Sequence, residues 1–246
     1  MFIVVYGRMP VLEALLDEEV RVEKVLLARS ARGDSVDEIV DAAKRRGVAV
    51  QKVAPEKVTR VSGNGRHDQG VVADVVAPGL RELDDEIDAL RSDGRSGRGG
   101  RLALLVLDGV TNPANVGMII RTVTGAGLDG VVLPRAGSPD VGPLVVKASA
   151  GVAFRARVYR SATAAAAVEL LRGAGVEVVG LRGDAAESLF DASLPDRIAL
   201  VLGNETEGVS VDVDRWVSIP MSNGVESLNV AVAAGLVAYE ISRRDR

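Results

Sequence analysis

The chain has 246 residues, is 47% hydrophobic and carries a formal net charge of −4. That suits one large or two modest globular domains and argues against a sequence-blind nucleic-acid coat. It has no cysteine, which excludes disulfides, thiolate metal sites and a cysteine nucleophile. With a single histidine, His67, no metal is expected. The apolar start at residues 1–5 has no basic flank and runs into Tyr6-Gly7-Arg8, unlike a leader. No run approaches the roughly 20 apolar residues of a membrane span. The expectation is a cytoplasmic protein with no membrane partner.

In chain order, residues 2–5 form a short apolar run and 9–16 a helix-like stretch after Gly7. Residues 22–27 suggest a strand. Asp34 or Ser35 can cap a helix to about residue 46, ended by Gly47. Residues 48–53 and 70–76 are strand-like, and the alternation predicts a small α/β unit over 1–76. His67 lies beside the glycine-rich turn 63–65, either as an RNA contact or as a polar loop residue. Residues 77–100 break the pattern. A short charged stretch (83–90) leads into Gly-, Ser- and Arg-rich residues 91–100, which have linker composition.

From residue 101 the pattern changes again. Residues 102–107 are a continuous apolar run, as expected of a parallel strand covered on both faces. A loop over 108–115, a helix over 116–126, a strand over 131–133 and a short helix over 144–150 follow. Residues 161–172 are helical and stop at Gly173 and Gly175. Strands over 176–181, 198–202 and 217–219 complete an α/β sheet of about five or six strands. Gly125-Ala126-Gly127-Leu128-Asp129-Gly130 spells G-x-G-x-x-G. A dinucleotide fingerprint follows a strand and opens a helix; this one closes a helix and leads into a strand, so it is a C-cap and turn.

The last quarter organises the chain. The apolar run 198–202 ends in Gly203-Asn204-Glu205, with Gly208 close behind; the segment 216–219 ends in Pro220-Met221; Ser227 then opens an Ala- and Val-rich helix. Buried strands that stop at glycine-bearing turns are where open α/β sheets hold ligands. Glycine lets backbone approach a ligand, and bare amides at a helix mouth hold polar groups.

Together with residues 107–122 (LDGVTNPANVGMIIRT), these segments resemble the three motifs of the SpoU/TrmH family. Those enzymes are S-adenosyl-L-methionine-dependent RNA ribose 2'-O-methyltransferases of the SPOUT class. The resemblance covers about residues 102–241. A weaker one links Tyr6-Gly7-Arg8, residues 11–15 and residues 69–73 to the L30e-like substrate domain of many TrmH-family enzymes. There Asp68 stands between His67 and Gln69, where the family usually has His-Gln-Gly.

The resemblance implies an L30e-like RNA substrate-binding domain over 1–76, a linker over 77–100 and a SPOUT methyltransferase domain over 101–246. The last would hold a parallel sheet with a deep trefoil knot. It assigns the cofactor to Leu202, Gly203, Asn204, Gly208, Ile219, Pro220, Met221, Ser227 and Leu228, with Leu181 as a wall. The reaction would rest on Asn115, Arg121, Glu205 and Asn229. Gly117 would permit close approach, Asn115 would cap its helix, and Asn229 would pair with Asn115. RNA contacts fall to Arg8, Gln69 and Arg121. An arginine fork suits phosphate and a forming alkoxide, whereas guanidinium stays protonated and is a poor base.

The implied substrate is large-subunit (23S) ribosomal RNA. The alternatives are a tRNA ribose 2'-O-methyltransferase, a non-catalytic RNA-binding or ribosome-assembly protein on the same scaffold and, distantly, a nicotinamide oxidoreductase. The resemblance also implies a homodimer in which Arg121 serves the cofactor held by the partner. Val230, Ala231, Ala234, Val237, Ala238 and Ile241 form an apolar stripe that either pairs two subunits or covers the domain's own sheet.

Overall fold

A computed structural model describes residues 1–91, 100–204 and 206–244. They fall into two compact units, Met1–Pro78 with Val141–Lys147, and Gly79–Asp140 with Ala148–Arg246.

The first unit contains β1 (Phe2–Tyr6), α1 (Arg8–Leu16), β2 (Val22–Ala28), α2 (Asp34–Arg45), β3 (Ala49–Val53), α3 (Pro55–Ser62) and β4 (Val71–Val76). Its sheet runs β1-β4-β2-β3, with β4 antiparallel to both neighbours and β2 parallel to β3. Val11, Leu15, Val25, Ile39 and Val71 are at most 1% exposed and make up its core. Two details differ from expectation. Helix α2 starts on Gly33 (φ 108), so Asp34 and Ser35 lie inside its first turn instead of capping it. Helix α3 has a proline in its first turn and ends at left-handed Gly63, but buries only Val58. One buried residue leaves no apolar periodicity to find.

The second unit begins with β5 (Leu80–Glu82) and α4 (Leu83–Arg91), then β6 (Leu102–Asp108), α5 (Pro113–Ala126) and β7 (Gly130–Pro134). A short α6 (Pro143–Ala148) follows β7 in the chain. Then come β8 (Val158–Ser161), α7 (Ala164–Gly173), β9 (Glu177–Leu181), β10 (Arg197–Gly203), β11 (Arg215–Val217) and α8 (Val230–Arg244). All seven strands are parallel, in the order β11-β9-β10-β6-β7-β8-β5. Every residue of β6 is buried, as a strand covered on both faces requires.

The sheet is larger than expected, because β5 and β8 join it. No element is expected at residues 158–160, and a helix is expected from Ser161. Residues 158–161 pair with β7 instead, and Thr163 caps α7, its hydroxyl oxygen accepting from the Ala166 amide at 3.0 Å. The linker over 77–100 is also corrected. Leu83, Ile87 and Leu90, at helical spacing on α4, are buried in one cluster with Leu104, Val168 and Leu171. Four acidic residues on α4 give the segment the look of a solvated connection. Of the expected linker, residues 92–99 lie outside the described residues.

Two helix boundaries bear on function. Gly127 is the left-handed C-cap of α5 (φ 79), taking up the carbonyls of Val123 and Thr124, so the G-x-G-x-x-G run closes a helix as expected. Helix α8 starts at Val230, and Asn229 Oδ1 accepts from the Ala231 amide at 2.9 Å; Ser227 lies in the preceding loop rather than at the helix opening. The apolar stripe of α8 faces its own unit. Ala234, Val237 and Ala238 are fully buried, Val230 and Ile241 nearly so, and the helix packs on α5 and β10. Among the described residues no helix is long and apolar enough to cross a membrane.

Leu83 is fully buried between α4 and the sheet, so Leu83→Ala should lower unfolding free energy by about 2–5 kcal/mol. Urea denaturation of the full chain, followed by circular dichroism, measures it. A shift below about 1 kcal/mol would mean that α4 does not belong to this core.

Candidate active site

The cleft forms where β9, β10 and β11 end. About 240 Å³ in volume, it is walled by the turn after β10, the segments after β9 and β11, and the start of α8. The turn is built from its own backbone. The Gly208 amide donates to the Asn204 carbonyl at 3.0 Å, and Asn204 Oδ1 accepts from the amides of Thr206 (2.9 Å) and Glu207 (2.7 Å). The turn folds back directly onto Gly203, where an added Cβ would lie 1.9 Å from the Gly208 carbonyl. Only glycine leaves room for that return.

Of the residues expected at a cofactor, Leu202, Gly203, Asn204, Gly208, Ile219, Met221, Ser227 and Leu228 line this one cleft. Pro220, exposed between two of them, does not. Leu181 is also in the wall. Sequence reasoning missed Trp216 and Arg182. The Arg182 guanidinium lies 4.5 Å from the centre of the Trp216 ring, a cation–π contact. The ring sits against Gly180, where a Cβ would be 2.6 Å away. The signal was present: this is the only tryptophan in the chain, and it immediately precedes the predicted strand 217–219.

The first motif divides between two faces of α5. Asn112, not Asn115, is the N-cap, its Oδ1 accepting from the Ala114 amide at 2.8 Å. Pro113 follows it at the first helical position, where a missing N–H costs nothing. Asn115 is therefore inside the helix and only 5% exposed. Its Oδ1 accepts from Asn229 Nδ2 at 3.2 Å, joining the start of α5 to the start of α8. Arg121 is exposed on the other side of α5 and is not part of the cleft wall. Six residues are 240° around an α-helix, which is why Asn115 and Arg121 diverge. Glu205 lies outside the described residues.

In the first unit, the Arg8 amide donates to Gln69 Oε1 at 2.9 Å, and the Arg8 guanidinium donates to Ser35 Oγ at 3.1 Å. Gln69 has φ 51, and inserted Asp68 holds that turn. Its Oδ1 accepts from the Gly70 amide at 2.8 Å; its Oδ2 accepts from Thr59 Oγ1 at 3.2 Å and Ser62 Oγ at 3.1 Å. Asp68 is buried and His67 exposed, so the insertion is an internal brace rather than a surface group. Among the described residues no three His, Asp or Glu side chains gather as metal ligands.

The pattern of the SpoU rRNA Methylase family matches residues 103–239, more than half of the chain. The chain belongs to that family. A second pattern, described as RNA 2'-O ribose methyltransferase substrate binding, matches residues 4–79 of this SpoU-family chain. It is 35% identical to the 23S rRNA (guanosine-2'-O-)-methyltransferase RlmB of Xanthomonas campestris, over 91% of this chain and 89% of the relative. With the RlmB of Xylella fastidiosa it shares 34% identity over 98% and 96% of the two chains. The SpoU methyltransferase AviRb from Streptomyces viridochromogenes, solved in complex with AdoMet, is 24% identical. It superposes with a TM-score of 0.64 over 99% of this chain and 90% of its own, a likeness of fold.

Gly203→Ala puts a Cβ where the Gly208 carbonyl lies. It should destabilise the second unit by about 1–3 kcal/mol and shift the emission of Trp216 in the same cleft. Fluorescence-detected melting measures both. An unchanged spectrum and midpoint would show that the turn does not press on Gly203.

Proposed function

We propose that the chain transfers the methyl group of S-adenosylmethionine to a ribose 2'-hydroxyl of large-subunit (23S) ribosomal RNA. The observation that carries this is the cleft at the ends of β10 and β11, where eight residues expected from the family motifs lie on one wall system. Membership of the family, the similarity to RlmB along nearly the whole chain and the AdoMet complex of AviRb support it.

The residues fit the cofactor. Leu181, Trp216, Ile219 and Leu228 offer an apolar slot for a purine, and the backbone of Gly203, Asn204, Glu207 and Gly208 offers polar groups beside it. The cofactor supplies a methyl group on a positively charged sulfur. The protein's part is to bring a ribose oxygen in line with it and to stabilise charge as the hydroxyl loses its proton. Arg121 holds a phosphate and faces the forming alkoxide. Asn115 and Asn229 fix the two helix starts against each other. Glu205 orients Arg121 or the target ribose. Arg8 and Gln69, in an L30e-like first unit, contact the RNA. Within the second unit the segments at the ends of β9, β10 and β11 thread as a trefoil knot, a reading supported by the likeness to solved SpoU folds. The protein works in the cytoplasm.

The working form is a homodimer. Since the apolar stripe of α8 is used internally, the pairing face is its outer side. Val232, Leu236 and Tyr239 are exposed there, with Met118 on the neighbouring α5. Arg121 is exposed on α5 as Met118 is, so pairing through this face would place it at the interface, where the family resemblance has it serve the partner's cofactor.

Two experiments test these readings. Titrating S-adenosylmethionine into the full chain should change Trp216 emission, and incubation with cofactor and deproteinised ribosomal RNA should add a ribose methyl mapped to 23S rRNA. Methylation of tRNA alone would overturn the substrate, and no cofactor binding would overturn the activity. For the dimer, Arg121→Ala and Gly203→Val chains are mixed under exchange. A shared site gives each mixed dimer one intact and one doubly defective centre, so activity should return to about half of wild type per mixed dimer. Inactive mixtures, with mixed dimers verified by native mass spectrometry, would overturn sharing.

A further inference from the structure

Asp108 is the last residue of β6, and in the β6–β10 register it stands directly opposite Gly203. Its side chain is almost fully buried, at 8% exposure for the residue. One oxygen, Oδ2, accepts three hydrogen bonds from a segment more than 100 residues away: the Ser210 amide at 2.6 Å, Ser210 Oγ at 2.8 Å and the Val211 amide at 3.2 Å. The turn that walls the cleft is thus tied at both ends to the same rung of the sheet. It leaves at Gly203, folds back over Gly203 through Gly208, and is caught by Asp108 two residues later. Asn204, Glu207, Gly208 and Val209, all in the cleft wall, lie between the two ties.

The next residue adds a second link. Gly109 has φ 72, and a Cβ on it would lie 3.0 Å from Asn204 Nδ2. The loop that leads from Asp108 to α5 is therefore packed beneath the same turn. Charge-assisted bonds to backbone amides are about twice as strong as neutral ones, and three on one buried oxygen leave the turn little freedom.

We infer that Asp108 is a positioning residue for the cofactor, holding Asn204 and residues 206–211 in the shape that walls the cleft. This rests on the reading that the cleft takes S-adenosylmethionine. Asp108 acts through the turn and touches no reacting atom. Asn at this position keeps an acceptor but loses the charge; Ser210→Ala removes one of the three donors and leaves both amides.

The test uses the full chain in four forms: wild type, Asp108→Asn, Asp108→Ala and Ser210→Ala. S-adenosylmethionine is titrated by calorimetry. Methyl transfer to deproteinised ribosomal RNA is followed while cofactor and RNA are varied separately. Cofactor affinity should fall about threefold in Ser210→Ala and about tenfold in Asp108→Asn, with a larger loss in Asp108→Ala. The KM for cofactor should rise in the same order while the KM for RNA stays within about twofold. A glutamate-specific protease should cut after Glu207 faster in Asp108→Asn than in wild type. If Asp108→Ala does not fold, the other two variants decide. Wild-type cofactor affinity in folded Asp108→Asn and Ser210→Ala would overturn the inference while leaving the cleft assignment intact. A parallel rise in both KM values with a lowered Tm would overturn it as well, since that is general destabilisation. Failure of the wild type to bind would instead overturn the cleft assignment on which the inference stands.

Discussion

The pairing of β6 with β10 is the constraint on which the rest of the second unit depends. The two strands run in register from Leu102 and Arg197 to Asp108 and Gly203, and their central residues are buried on both faces. Each strand delivers a different segment at its carboxyl end. From β6 the chain passes into α5, whose start holds Asn115; from β10 it passes into the turn that walls the cleft. Crossing from one to the other in sequence takes almost a hundred residues, whereas the sheet sets them side by side. That is the usual logic of parallel α/β sheets, in which loops at one edge share a crevice.

The cleft turn takes most of its internal hydrogen bonds from its own backbone amides. Its shape comes from backbone amides, the side chains of Asn204, Asp108 and Ser210, and a glycine that yields its space to the returning strand of chain. Sterics at Gly203 and the tie to Asp108 act on it together. Small changes at Gly203 therefore act on the turn as a whole rather than on one contact.

Much of this was legible in the sequence because strands buried on both faces read as unbroken apolar runs. Residues 102–107 and 198–202 announce themselves that way, and glycines mark where they stop. Three features escaped for physical reasons. β5 and β8 are short strands interrupted by arginine and glutamate, so their apolar signal is weak. Helix α4 hides three core positions among acidic residues, of which Asp84, Asp85 and Asp88 are exposed. The cap of α5 was placed on Asn115, when Asn112 and Pro113 form the better start; two asparagines three residues apart offer the same cap chemistry, and only burial separates them. For α8 the periodic stripe was visible, but periodicity gives a face and not the partner that covers it. The partners proved to be α5 and β10.

The placement of α4 in the second core changes what the stretch between Arg91 and Gly100 is. A glycine-, serine- and arginine-rich segment looks like a tether between domains, yet here it joins α4 to β6, two elements of one folding unit. Because α4 and β6 pack in one core, the positions of Arg91 and Gly100 are set by that core, and added length between them costs closure entropy and not reach between modules. Closure entropy grows only logarithmically, by about 0.6 kcal/mol for each doubling. Evolution, or an engineer fusing a reporter, can therefore lengthen this connection at small thermodynamic expense while the strands and the cleft keep their register.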